Sequence, residues 1–136
     1  MLLIKQNTHH EINNKFSGTI IEINKNYSKV KLKMISEMKA DKKGLIHGGF
    51  IFSLADFASM VAINHPNVVL GGANVNFLKP VLEGDLLIAE AKLSKIEGKK
   101  HIVTVKIMKR DELVFNGEFI CFIPDKHILG DTHSNE

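Results

Sequence analysis

The sequence predicts an α+β domain, an antiparallel sheet of five or six strands wrapped around one long central helix. Two observations lead there. Residues 44–64, GLIHGGFIFSLADFASMVAIN, form the longest apolar run, broken between Phe50 and Ile63 only by Ser53, Asp56 and Ser59. Those three recur at every third position, which on a helix makes one narrow polar stripe. A helix apolar on its other sides is buried on nearly every side, and this run is shorter than the ~20 residues that cross a membrane. The flanking sequence supplies the second observation. It alternates apolar and polar residues at period two, in segments joined by short turns, as antiparallel neighbours do.

Residues 1–15 mix a short apolar start with the polar run Gln6-Asn7-Thr8-His9-His10-Glu11 and predict an arm or a short helix. From Phe16 the period changes to two. Thr19, Ile21 and Ile23 alternate with Ile20, Glu22 and Asn24. After Lys25-Asn26-Tyr27, Val30, Leu32 and Met34 alternate with Lys29, Lys31 and Lys33, which completes a hairpin with one solvated face. Residues 36–43 are a charged connection to the helix. Beyond it, Asn64-His65-Pro66-Asn67 is a breaker cluster. Strands are expected over residues 68–78, 86–96, 101–108 and 113–123, separated by Lys79-Pro80 with Glu83-Gly84-Asp85, by Glu97-Gly98-Lys99-Lys100, and by Lys109-Arg110-Asp111-Glu112. The short turns predict that these four strands are neighbours in order. Residues 16–124 read as one domain and the polar residues 125–136 as a loose tail. One sheet leaves part of the helix and a strand edge uncovered, and a second copy of the chain is the simplest cover.

The length of 136 residues suits a single domain with a real core, and 44% hydrophobic with 24% charged residues is ordinary for a globular chain. A net charge of +3 is too weak to point to nucleic acid, though it suits a small ligand bearing phosphate. The single Cys121 excludes an internal disulfide and fits a reducing compartment. No charged n-region precedes Met1-Leu2-Leu3-Ile4, so no secretory leader and no membrane association are expected, and the default location is cytoplasmic.

The start of the helix holds the chemistry. Gly48 and Gly49 follow His47 directly. The first N–H groups of a helix lack partners and bear a partial positive charge. Two glycines leave them unshielded, so a carbonyl or anionic oxygen can approach closely. Two turns later stands Asp56, set among Phe52, Ala55, Phe57 and Met60. A carboxylate in apolar surroundings must be paired, hydrogen-bonded or protonated. Donors together with a carboxylate suit acyl transfer.

This arrangement, His47-Gly48-Gly49 with an acid eight residues past the first glycine, followed by a strand ending in Asn76-Phe77-Leu78-Lys79-Pro80, resembles the hotdog-fold acyl-CoA thioesterases. It is most similar to the branch of the phenylacetate-pathway thioesterase (PaaI-like), over residues 16–124. The resemblance implies a homodimer or a dimer of dimers. It implies that the Gly48 N–H polarises the thioester carbonyl, with Gly49 beside it and His47 shaping the turn. Asp56, reaching in from the other subunit, would be general base or nucleophile. It further implies Asn74, Asn76 and Lys79 as substrate-binding residues, a coenzyme A thioester as substrate or ligand, and no cofactor. Many members have an asparagine on the loop before the glycines. Here that position falls near Asp41, which stands as an alternative acid because other hotdog thioesterases place their aspartate on that loop.

Each feature has a plainer role as well. Asp56 could only accept hydrogen bonds across an interface, the glycines could only allow close packing, and Asp41 could be merely solvated. The histidines lack His-x-x-x-His spacing, so no metal is expected. Cys121, in Phe119-Ile120-Cys121-Phe122-Ile123, reads as an inert core thiol. Lys79, Lys99 and Lys100 are the cations available to phosphates. The expected function is thioester hydrolysis, and its rival is a non-catalytic acyl-CoA-binding sensor on the same fold.

Overall fold

The computed structural model describes residues 4–130. The outermost parts of the expected arm and tail, residues 1–3 and 131–136, lie outside the described residues. A single-turn helix, α1 (Asn14–Ser17), opens the chain's regular structure, with the Asn13 side chain accepting from the Lys15 N–H as its cap. It ends at Gly18 (φ 113), where a Cβ would lie 2.6 Å from Val30 and 2.9 Å from the Lys31 carbonyl oxygen, so only glycine lets the chain enter the sheet here. Strands β1 (Thr19–Asn24) and β2 (Tyr27–Lys33) form the expected hairpin. A 3-10 turn, Ser36–Met38, buries Met38, and the central helix α2 (Gly48–Ile63) comes next. Strands β3 (Val69–Phe77), β4 (Leu86–Glu97), β5 (Lys100–Lys109) and β6 (Glu112–Phe122) complete a six-stranded antiparallel sheet in the order β1-β2-β4-β5-β6-β3.

The sheet curls around α2, which touches every strand. Its inner face carries Val30 and Leu32 on β2, as the alternation there predicts, with Leu87, Ala89 and Ala91 on β4 and Val103, Val105 and Ile107 on β5. Burying each large side chain there is worth about 1.5–3 kcal/mol. From the helix, Ile51, Leu54, Ala55, Phe57, Ala58, Met60, Val61 and Ala62 enter this core. No helix among the described residues is long and apolar enough to cross a membrane.

Two expectations are corrected. The turn at Glu83-Gly84-Asp85 does not make β3 and β4 neighbours. β3 crosses to the far end of the sheet, where it pairs with β6 and forms an edge, and β4 pairs with β2. The connection between β3 and β4 is therefore a crossover of residues 78–85, held down by Ile46 N–H to Val81 carbonyl (2.8 Å) and a bridge between Leu45 and Leu82. In β1 a bulge between Ile20 and Glu22 shifts the alternation, so Ile23 is buried while Ile21 is exposed.

Candidate active site

The loop before α2 is tied to the sheet at several points. The His47 N–H donates to the Met38 carbonyl (2.9 Å) and Lys39 bridges Ile46. These bonds aim the chain into the helix with His47 as N-cap, in extended conformation and with no side-chain cap. The Phe50 N–H turns back to the His47 carbonyl (3.1 Å). Among the described residues nothing accepts from the N–H of Gly48 or of Gly49. A Cβ on Gly49 would stand 2.8 Å from His47 Nε2, and one on Gly48 would stand 3.2 Å from the Phe77 ring. The imidazole thus flanks Gly49 and the phenyl ring flanks Gly48. Gly48 itself lines a cleft of about 340 Å³ whose walls include Leu45, Ile51, Phe77 and Lys79.

Asp41 has a definite structural task. Its Oδ1 accepts from the N–H of Lys43 (2.9 Å) and of Leu45 (3.1 Å), closing the loop that leads to the glycines.

The polar stripe resolves into unequal members. Ser53 Oγ hydrogen-bonds Ser17 Oγ on α1 (2.7 Å), and Ser59 Oγ donates to the Asp56 backbone carbonyl (2.8 Å). The Asp56 carboxylate has no hydrogen-bond partner among the described residues. Burial pushes its pKa up from 3.8 to about 6. It borders a cavity of about 610 Å³ lined also by Thr8, His9, His10, Met60, Leu70 and His127. Burial lowers the His9 pKa, which keeps its ring neutral at pH 7. Behind the helix Cys121 is fully buried, and burial, with the charge of Asp56 second, pushes its thiol up to about 12. A thiol held protonated in this way has no nucleophilic role.

Within one chain Gly48 and Asp56 do not meet. Eight residues of helix separate them by ~12 Å, and the cleft and the cavity share no lining residue. Lys79 does reach the cleft, where it lies 3.9 Å from Glu112. Asn74 and Asn76 line neither space. They pair in register with Glu118 and Asn116 on the sheet face turned away from α2, and Asn76 Nδ2 donates to Asn116 Oδ1 (3.1 Å). Lys99 lines a different cavity, together with His101 and Phe122. Among the described residues no three His, Cys, Asp or Glu side chains gather as metal ligands. Sequence reasoning missed the N-terminal arm and His127 as walls around Asp56. The only trace of the arm's role was an isoleucine at each end of its polar run, Ile4 and Ile12.

Residues 43–115 match the family model described as the thioesterase superfamily. The chain belongs to the thioesterase superfamily. Its fold is the family's hotdog fold, and the structure of PH1136 from Pyrococcus horikoshii superposes with a TM-score of 0.91 at 48% identity, covering 95% of this chain and 99% of that one. The Escherichia coli PaaI protein of the phenylacetic acid degradation operon is similar at the level of fold, with a TM-score of 0.73 at 23% identity over 80% of each chain. Among curated proteins, a methylthioribose-1-phosphate isomerase of Aquifex aeolicus (strain VF5) is 55% identical over 112 residues, 82% of this chain but 25% of that protein. The transcription factor FapR of Thermoanaerobacter sp. (strain X514) is 35% identical over 88 residues, 65% of this chain and 44% of FapR. This superfamily member thus spans less than half the length of each of these two curated relatives.

Proposed function

We propose that two copies of this chain form a site that hydrolyses acyl thioesters of coenzyme A. The observation that supports it is the unpartnered Asp56 carboxylate, half of a site whose other half, the free Gly48 and Gly49 donors, lies too far away on the same helix. The cleft at Gly48 is lined by the end of β3 and the start of the crossover, Phe77 to Val81, and the cavity at Asp56 by Val68 and the beginning of β3, Val69 and Leu70. β3 is a nine-residue edge strand, ~30 Å long, without lysine or proline to blunt it. Antiparallel pairing of this edge with its copy, about a two-fold axis near Ala73, superimposes the beginning of one β3 on the end of the other. Each Asp56 then faces the partner's Gly48.

At such a site the ionised Asp56 takes a proton from water as the oxygen attacks the thioester carbon, or attacks that carbon itself. The negative charge formed on the carbonyl oxygen falls on the Gly48 N–H, an interaction worth on the order of 3 kcal/mol. On the base route the C–S bond then breaks and the thiol leaves with the proton that Asp56 returns; on the nucleophile route the thiolate leaves, and water hydrolyses the acyl-aspartyl anhydride to free the acid and Asp56. Lys79, at the edge of the cleft, is the cation best placed for a coenzyme A phosphate. A cytoplasmic location goes with this reading, because Cys121 is unpaired.

The likeness to FapR, named as a transcription factor, favours a second reading in which the same site binds acyl-CoA without turnover. A thiol-release assay over an acyl-CoA panel, run beside a binding assay on the same panel, separates the two. Release well above buffer supports the hydrolase. Micromolar binding without release selects the sensor, and neither binding nor release rejects both.

A further inference from the structure

The segment from Ile4 to Ile12 is not regular structure, yet it is anchored throughout. Ile4 and Ile12 pack against the core at its two ends. Between them the Asn64 side chain grips the backbone twice: Oδ1 accepts from the Asn7 N–H (2.7 Å) and Nδ2 donates to the Lys5 carbonyl (2.8 Å). Thr8 is buried, 4% exposed, and its hydroxyl bonds His9 Nδ1 (2.7 Å). His9 itself sits in the left-handed region, φ 55, a conformation that costs a non-glycine residue energy and persists only where the surroundings impose it. Thr8, His9 and His10 face the cavity that Asp56 borders, opposite Met60, Val68 and Leu70.

Asn64 is also the C-cap of α2. It adopts φ 56 and ψ 35, with its N–H on the Met60 carbonyl (2.8 Å). The clasp that holds the arm and the acid that borders the cavity therefore belong to one rigid element, two turns apart. The spacing between carboxylate and wall is set by the helix itself.

We propose that this arm is the wall that limits the acyl group, with Asn64 as its clasp and His9 as its inner face, so that together they set the acyl length the site accepts. The proposal rests on the acyl-thioester reading of the Asp56 cavity. Asn64 acts through the arm and is a positioning residue.

Asn64→Gly is the discriminating variant. Glycine adopts the left-handed cap without strain and keeps the N–H bond to Met60, but loses both bonds to the arm. Hydrogen exchange of the peptide spanning residues 4–12 should quicken at least tenfold. Dissociation constants for a saturated acyl-CoA series from two to twelve carbons should shift toward the longer chains. The ratio of longest to shortest should change at least tenfold while acetyl-CoA changes less than threefold. His9→Ala, which leaves the clasp intact, should shift the series in the same direction by about threefold. A released arm with an unchanged length profile overturns the wall, and unchanged exchange overturns the clasp. Binding is the readout, so a wild type that binds the series without hydrolysing it removes the hydrolase reading and still tests the wall. A wild type that binds no acyl-CoA overturns both.

Discussion

At its first two residues α2 presents backbone donors and no side chain, and two turns later it presents a carboxylate and no donor. Sequence makes both features, one at the N-terminus of the helix and one at its middle. His47-Gly48-Gly49 strips the N-terminus of shielding side chains, while Asp56 is the one member of the polar stripe whose side chain is left without a partner. The first is indifferent to pH, because amide donors do not titrate. The second is a switch near pH 6. A helix can thus hold complementary halves of one site on its own surface without completing it, because a rigid rod keeps them ~12 Å apart.

The contrast between the two features breaks most sharply at the acid. Asp56→Asn keeps size and removes charge, so turnover should fall by ~10²-fold or more while affinity for acyl-CoA changes little. In the wild type kcat/KM should rise with pH through about 6 and then level off, and the variant should lose that limb. The same residue predicts a stability effect of definite sign. Its folded pKa, about 6, lies above its ordinary 3.8, so its contribution to stability is full below pH 3.8 and lost as pH rises through 6. That loss is on the order of 3 kcal/mol, and it should be missing from urea titrations of Asp56→Asn between pH 4 and 8.

Next comes the element proposed to unite the two features. Ala73→Lys places like charges side by side at the middle of a β3–β3 pairing. The dimer dissociation constant should rise at least tenfold by light scattering, and turnover per chain should fall with it at low protein concentration. A wild type that is a stable monomer at micromolar concentration would remove the two-chain site altogether.

At the donor end, Gly48→Val puts a branched side chain where even a Cβ stands 3.2 Å from the Phe77 ring. Hydrolysis should drop about tenfold in a folded protein, and an unchanged kcat/KM would exclude the oxyanion role. The smallest effect belongs to Asp41→Asn. Asparagine keeps the Oδ1 that accepts from Lys43 and Leu45, so turnover should stay within about twofold. Loss of turnover there, with Asp56→Asn active, would move the chemistry to the loop.

The sequence by itself determined the elements, the inner faces of β2 and β4, and the bare N-terminus and mid-helix acid of α2, because these obey local rules. Period-two alternation selects Val30, Leu32, Leu87, Ala89 and Ala91, and only glycine leaves a helix N-terminus bare. The tertiary structure alone decided the rest. Short turns mark the β3–β4 connection as a hairpin, yet β3 runs to the far edge beside β6, since strand order depends on which inner faces can close around the helix rather than on turn length. It put Asn74 and Asn76 on the outer face, because their parity with Glu118 and Asn116 is a matter of register. It also decided that the arm walls Asp56, since the clasp joins Asn64 to Lys5 and Asn7 across more than fifty residues. A contact at that sequence distance leaves no periodicity to read.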